Sequence, residues 1–277
     1  MNTFHKRFWN NKTAVCCSFL LAILCLVALL APVLAPHNPT EMFHDHRMAG
    51  SSSEFWMGTD QFGRDLLSRI MYGARVSLLV GFSAVLLSAA CGALFGLIAG
   101  YFGRWIDGLI MRAMDVLFAF PEILLALAIV AVLGPGTFNT ILAIGIVNIP
   151  VFTRTVRGAV LAVKNQEFVE SARAIGASTP RILFREIFPN VAAPLLVQAS
   201  LAISGAILTE SVLSFLGLGV QPPDPSWGGM IAEARRYMEL APGMIVWPCL
   251  AMTVTILCSN LFGDAVRDIL DPRHDKT

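Results

Sequence analysis

The chain has 277 residues, of which 56% are hydrophobic and 14% are charged, and its mean hydropathy is +0.67. Soluble domains usually carry about 25% charged residues, so the composition excludes a soluble protein and indicates an integral membrane protein. The formal net charge of +1 favours no particular partner.

Six membrane spans are predicted in chain order. A span needs about 20 apolar residues, and residues 14–36 and 76–100 reach that length without a charge. The other predicted spans are 109–133, 139–153, 191–209 and 244–263. The first follows a basic N-terminus but is longer than the core of a signal peptide, so we expect an uncleaved anchor. The predicted fold class is an all-α integral membrane protein with six transmembrane helices.

The basic residues predict the orientation of these spans. Cytoplasmic loops carry the excess of Lys and Arg. With a cytoplasmic N-terminus, fourteen of the 20 basic residues lie on the inner side, including Lys6, Arg7, Arg273 and Lys276. The six on the outer side are Arg47, Arg64, Arg69, Arg75, Arg235 and Arg236. We therefore expect both termini in the cytoplasm.

The predicted spans divide the chain into four regions. These are an N-terminal tail with the first transmembrane helix (1–36), an outer, periplasmic segment (37–75), a transmembrane core (76–263) and a cytoplasmic tail (264–277). The core contains a cytoplasmic loop at 154–190 and an outer loop at 211–243. Three prolines within residues 222–225 exclude a regular helix there, which leaves either a fixed rim or gate, or an ordinary connecting loop.

The outer segment carries two patterns. After Gly63, apolar residues at 66, 67, 70 and 71 predict a short amphipathic helix lying along the outer membrane surface. Several potential ligands of a transition metal stand before it, at His37, Met42, His44, Asp45, His46 and Met48. They occupy a polar, turn-rich stretch without fixed geometry, so we expect a solvated loop and no metal site.

The second span has a small residue at every fourth position, namely Ala84, Ser88, Gly92, Gly96 and Gly100. Small residues let a second helix approach the backbone closely, so this face is predicted to be a packing seam, either static or sliding. The six cysteines all lie within spans and lack the spacing of a metal or redox site. We interpret them as small apolar packing residues.

Glu122 is the most unusual residue within the spans. At about 1.5 Å per residue it lies near the middle of a straight third span, where a carboxylate must face protein or water. It either lines a translocation path and meets a cationic part of the substrate, or is tolerated beside a kink at Pro121. Arg112 and Asp115 stand three residues apart and are predicted to pair. Glu210, near the outer end of its span, is expected at the level of the lipid headgroups.

The cytoplasmic loop is predicted to contain two short helices. Phe168, Ala172 and Ile175 fall on one face of the first, which we expect to be capped by Asn165 and ended by Gly176. The second begins with Thr179 as its cap and Pro180 in the first turn, and stops at Pro189. The apolar face either binds a partner in water or lies on the protein's own cytoplasmic surface.

The sequence of this loop, EFVESARAIGASTPRILFREIFPN, resembles the EAA loop of binding-protein-dependent ABC importer permeases. Ser171 and Phe188 depart from the usual pattern of that loop. Further stretches, GTDQFGRDLLSRIMYGARVSL, RAMDVLFAFPEILLALA, SFLGLGVQPPDPSWGGMI and NLFGDAVRDILDP, resemble the peptide and nickel subfamily in the same order. The resemblance covers about residues 55–273.

The resemblance implies the architecture of a type I ABC importer permease in a bacterial inner membrane. It implies a half-channel that pairs with a second, homologous permease, with two cytoplasmic ATP-binding subunits and with an outer solute-binding protein. The loop would then be the coupling segment, and the residues assigned to ATPase coupling are Phe168, Glu170, Ala172, Arg173, Gly176, Ile187 and Pro189.

Other functions have less support in the sequence. A phosphate-binding loop needs Gly-Lys followed by Ser or Thr, and none of the lysines follows a glycine, so we expect no ATPase activity, catalytic residues or cofactor in this chain. No basic patch with interleaved aromatic residues indicates nucleic acid. The predicted function is peptide import, with import of nickel or another small solute as the alternative. A stand-alone secondary transporter is the second alternative. A membrane hydrolase has the least support, because no histidine lies in a span to act as its base.

Overall fold

The computed structural model describes residues 12–270, and within them it is helical almost throughout, with one isolated β-bridge between Thr59 and Asp65. The helices are α1 (Lys12–Leu29), α2 (Ala31–Leu34), α3 (Leu66–Phe102), α4 (Arg104–Phe118), α5 (Glu122–Leu133), α6 (Thr137–Val163), α7 (Glu167–Ala174), α8 (Thr179–Phe215), α9 (Trp227–Ala234) and α10 (Gly243–Leu270). Single 3-10 turns occupy His44–His46 and Arg235–Tyr237. Lys6, Arg7, Arg273 and Lys276, which support the predicted orientation, lie outside the described residues.

Five of these helices, α1, α3, α6, α8 and α10, are long and apolar enough to cross a membrane. A sixth span results if α4 and α5 are counted together, although they meet at an angle of 90°. The predicted six spans are confirmed in this form, but the third is broken and not straight. The break lies before α5 at Pro121, which has no N–H group to donate and disfavours helical geometry in the residue before it.

The predicted amphipathic helix of the outer segment is not a separate element. Residues 66–75 are the first turns of α3, which begins after Asp65, whose carboxylate accepts a 2.9 Å hydrogen bond from the Ser68 amide. Leu66, Ser68 and Arg69 are buried inside the protein. The prediction was wrong because the polar residues of this stretch have partners within the chain, so its polar side does not face water.

The predicted packing seam on α3 is confirmed, and its partner is α6. A Cβ atom built on Gly96 would lie 2.7 Å from the Thr153 carbonyl oxygen and 2.7 Å from the Val156 Cβ atom. Ala84 and Ser88 on the same face are fully buried. The two helices therefore pack backbone against backbone, and helices α5 and α8 complete a core around Val130, Phe152 and Leu213.

A buried ion network holds the outer segment against α9. Arg64 donates to Asp60 (2.5 Å) and to Glu233 of α9 (2.7 Å). Arg69 of α3 also reaches Glu233, at 3.3 Å. Asp60, Arg64 and Arg69 are each less than 5% exposed. Two guanidinium groups thus share two carboxylates, which makes the network neutral and fixes the outer segment over the start of α3.

The histidines of the outer segment contact neighbouring side chains in the structure. The rings of His37 and His46 contact Phe55, with centroids 5.1 and 5.4 Å away. The Nδ1 atom of His44 lies 3.1 Å from an Arg47 nitrogen. Between residues 12 and 270 no group of three or more potential side-chain ligands has the geometry of a metal site.

Candidate coupling surface and translocation path

Helix α7 forms the middle of the predicted cytoplasmic loop. Gln166 precedes it in an extended conformation without a side-chain cap, so the predicted cap at Asn165 was wrong. The first turn carries the acidic residues Glu167 and Glu170, and the last turn carries the basic residue Arg173. Charges of these signs at these ends interact favourably with the helix dipole. This charge arrangement stabilises the eight-residue helix without a capping side chain.

Gly176 ends α7, as the sequence predicted. Its φ angle is +76°, a conformation that glycine adopts without steric cost. Its amide donates to the Arg173 carbonyl, and the Ala177 amide donates to the Ala172 carbonyl, both at 3.0 Å. This pair of bonds is a Schellman motif, which reverses the chain direction and sends it back toward the membrane helices.

The second predicted short helix is in fact the beginning of α8. Ser178, and not Thr179, is its N-terminal flanking residue, and the helix continues through a π-helical turn at Ile182–Ile187 without stopping at Pro189. A proline interrupts the regular series of backbone hydrogen bonds in a helix because it has no N–H to donate. The wider π-helical turn before Pro189 accommodates the missing hydrogen bond. The loop is therefore joined directly to a membrane-spanning helix.

The inner side of the loop packs on the protein itself. Val169, Ala172, Ile182 and Ile187 are each at most 6% exposed and contact the ends of α3 and α6 through Leu97, Val156 and Val160. Ala172 and Ile187, two of the predicted coupling residues, can therefore act on a partner only by holding the loop in shape. Periodicity missed Val169, which is fully buried, and Phe168 is only half-buried.

The outer side of the loop faces solvent. Ile175 is 78% exposed and Phe184 is 57% exposed. The sequence placed Ile175 on the packed face, but the helix ends one residue before it and the chain turns away at Gly176. We define the coupling surface as six of the residues that the loop exposes, namely Glu170, Arg173, Ile175, Gly176, Phe184 and Pro189. The inner face of the loop therefore lies on the protein itself, whereas binding of a partner by the outer face stays a prediction.

Two ion pairs connect α4 to α6 near the coupling surface. Arg157 donates to both carboxylate oxygens of Asp107, at 2.5 and 2.6 Å. Arg154 donates to Asp115 at 2.6 Å. The predicted pair between Arg112 and Asp115 does not form, because Asp115 is bound by an arginine of a neighbouring helix that only the tertiary fold brings close.

Glu122 is the first residue of α5 and lies where three helices meet. Its Oε1 atom is 3.5 Å from the Asn148 Nδ2 atom of α6 and 3.4 Å from the Thr209 Oγ1 atom of α8. The side chain is exposed. The depth of Glu122 in the membrane cannot be obtained by counting residues along a straight helix, since the third span bends by 90° immediately before Glu122.

Glu210 is enclosed by the protein and does not face the lipid headgroups, as the sequence had indicated that it would. It is fully buried, and its carboxylate accepts hydrogen bonds from Ser77 of α3 (2.8 Å) and Ser214 of α8 (2.7 Å). Ser211 lies further away, at 3.4 Å. The sequence placed Glu210 correctly along its span but could not show that it faces α3.

Long helices packed through small residues, one broken span and a loop that protrudes from the helix ends make this chain a protein of several membrane spans. The chain belongs to the family of binding-protein-dependent transport system inner membrane components, whose model matches residues 92–276. A second model, for the N-terminal transmembrane domain of oligopeptide transport permease C, matches residues 2–50. The protein is therefore an inner-membrane permease of the ABC importer type.

Curated relatives match nearly the whole chain. It is 46% identical to the dipeptide transport system permease protein DppC of Alkalihalophilus pseudofirmus, over 97% of this chain and 88% of that protein. The di/tripeptide permease DppC of Pseudomonas aeruginosa is 45% identical, over 99% and 92% of the two chains. The glutathione transport system permease protein GsiD of Escherichia coli O157:H7 is 47% identical, over 98% and 89%.

A solved structure supports the fold. A chain of the MetNI methionine ABC transporter, in an inward-facing conformation, superposes with a TM-score of 0.55 over 74% of this chain and 96% of its own length. The sequences are 16% identical, so the likeness concerns the fold alone. The predicted type I permease architecture is confirmed.

Proposed function

We propose that this chain is one permease subunit of an ATP-driven importer and forms half of the translocation path for di- or oligopeptides. The observation that carries this proposal is the 45–47% identity, over nearly the full chain, to permeases named for dipeptides, di/tripeptides and glutathione. Glutathione is itself a small peptide. The same observation favours peptides over nickel or another small solute.

The proposed partners are a second homologous permease, two cytoplasmic ATP-binding subunits and an outer solute-binding protein. The sequence contains four lysines, Lys6, Lys12, Lys164 and Lys276, and none follows a glycine. A phosphate-binding loop requires that arrangement, so ATP hydrolysis is assigned to separate subunits. The family name itself refers to dependence on a binding protein.

The coupling surface is proposed to bind a groove on an ATP-binding subunit. Exposed apolar side chains such as Ile175 and Phe184 are stabilised when a partner removes them from water. Because α8 runs from Thr179 to Phe215 as one helix, a displacement of its first turns is transmitted along a membrane span. The buried residues Ala172 and Ile187 keep the surface rigid against α3 and α6.

Reconstituted vesicles test this proposal. The chain would be assembled with its second permease, the ATP-binding subunits and the binding protein, and uptake of a labelled dipeptide would be followed. We expect uptake only when ATP and every subunit are present. A secondary transporter, which the broken span also suits, would instead accumulate the dipeptide on an ion gradient after the ATP-binding subunits are left out, and that result would refute the importer.

A further inference from the structure

Glu122 presents a carboxylate on the helix surface with no cation beside it. It is the only charged residue of α5, and its neighbours Ile123 and Leu124 are apolar and exposed. Among residues 12–270 it forms no ion pair, and its Oε2 atom has no hydrogen-bond partner. A carboxylate facing lipid is costly and is usually turned toward protein or water, so this face of the chain does not lie against lipid.

The groups that surround Glu122 are neutral and contact its carboxylate only at long distances. Asn148 and Thr209 contact the Oε1 atom at 3.5 and 3.4 Å, which is longer than a good hydrogen bond. The charged residue nearest in sequence to each of them has other partners, since Arg154 of α6 binds Asp115 and Glu210 of α8 binds Ser77 and Ser214. The carboxylate of Glu122 therefore remains available to an incoming group.

The break between α4 and α5 leads to the same conclusion. Non-helical backbone within a membrane is tolerated where it is buried in protein or lines a water-filled cavity. Glu122 stands directly after the break, at the N-terminal end of α5, where the helix dipole favours a negative charge. The exposed side chain of Glu122 thus presents its carboxylate at the surface beside the helix break.

We propose that Glu122, Asn148 and Thr209 form a site in the translocation path for a primary ammonium group, and that in transport this group is the amino terminus of the peptide. The inference rests on the proposed function. An ammonium group has three donors and no acceptor. The site offers two acceptors from two helices, the Glu122 carboxylate and the Thr209 hydroxyl oxygen, while the Asn148 side-chain amide donates toward Glu122 Oε1 and orients the carboxylate. The carboxylate supplies the charge-assisted bond, which is the stronger of the two.

The test compares ATP-driven uptake of dialanine by wild-type and Glu122→Gln complexes between about pH 6.5 and about pH 9.5. The pKa of a peptide amino terminus is about 7.7–8.0, so the ammonium form is present below that range and lost above it. We expect wild-type uptake to exceed that of Glu122→Gln by about tenfold at the acidic end. The ratio should approach one at the basic end.

Because both complexes use the same binding protein, its own pH dependence cancels in this ratio. A ratio that stays constant across the pH range overturns the ammonium site. Glu122→Asp, which keeps the charge, should retain the pH-dependent advantage, and its loss would also contradict the proposal. Co-purification of Glu122→Gln with the other subunits and an unchanged unfolding temperature would show that the substitution leaves the fold intact.

A second variant keeps the test decisive if Glu122→Gln does not assemble. Thr209→Val removes one acceptor and no charge, so it should reduce uptake about threefold at low pH and have no effect at high pH. Equal loss at both ends would contradict the site. If wild-type uptake proceeds without ATP, the importer itself is refuted, whereas ATP-driven uptake with a constant ratio removes only this inference.

Discussion

Glu210 of α8 accepts a 2.8 Å hydrogen bond from Ser77 of α3, and neither side chain is exposed to solvent. Ser214 also donates to Glu210, and its hydroxyl accepts a 3.2 Å bond from the Val220 amide. The carboxylate thus links two long helices and, through Ser214, the outer loop. The irregular outer loop is anchored to the helix core at this point.

Substitution of Glu210 should test how much this link stabilises the protein. Glu210→Ala leaves the buried hydroxyls of Ser77 and Ser214 without their acceptor, so we expect the free energy of unfolding to fall by about 2 kcal/mol. Glu210→Gln keeps the shape and one acceptor oxygen and should cost less. Thermal unfolding of the purified complex measures both, and equal stability of wild type and Glu210→Ala would contradict the assignment.

The glycine seam gives a sharper comparison. Gly96→Ala places a Cβ atom 2.7 Å from the Thr153 carbonyl oxygen, so α3 and α6 must separate, at a cost of about 1–3 kcal/mol. Gly108→Ala in α4 meets nothing within 4 Å and should be neutral or stabilising by up to about 1 kcal/mol. The yield and unfolding temperature should therefore fall for Gly96→Ala and stay the same or rise for Gly108→Ala. A similar fall in unfolding temperature for both variants would indicate that the protein is sensitive to any added methyl group, and would contradict a specific role of Gly96.

The outer ion network should control how firmly the segment at 37–65 is held. Glu233→Gln leaves Arg64 and Arg69 with a single carboxylate, Asp60. We expect the free energy that holds the segment against α9 to fall by about 2 kcal/mol. Protease added to the outer side should then cleave the segment several times faster. The control is Glu54→Gln, at an exposed position without an ion pair in the described part of the chain. Equal cleavage of both variants would show that the network does not restrain the segment.

The coupling surface can be tested with two matched substitutions. Ile175 and Leu240 are 78% and 77% exposed and lie on opposite predicted sides of the membrane. Ile175→Asp places a charge in the proposed interface with the ATP-binding subunit and should weaken co-purification by about tenfold or more. Leu240→Asp should leave it unchanged. Loss of the ATP-binding subunits from both variants, or from neither, would show that Ile175 is not part of the interface.

Much of the architecture follows from local sequence. A run of apolar residues defines a span wherever it occurs, so the number of spans was predictable. The small residues of α3 and the glycine after α7 were equally informative, because close backbone approach and positive φ angles require those residue types at those positions. The approximate location of the protruding loop followed from its charges.

Helix continuity was harder to predict than helix existence. Pro189 predicted an end to the second short helix, but the preceding π-helical turn absorbs the missing donor and joins the loop to α8. Pro121 predicted only a kink, whereas the structure turns by 90°. A proline removes one donor in every case, and the packing around it decides whether the helix bends, breaks or continues.

The sequence by itself determined the class of protein, the number of spans and the position of the loop, because these depend on hydropathy, charge and residue size read along the chain. Only the tertiary structure decided the partners of the polar side chains. Arg154 and not Arg112 binds Asp115, Glu210 faces Ser77, and Asn148 and Thr209 meet Glu122. Each of these contacts joins different helices, and side-chain distances between helices depend on how the helices pack, which no local pattern records.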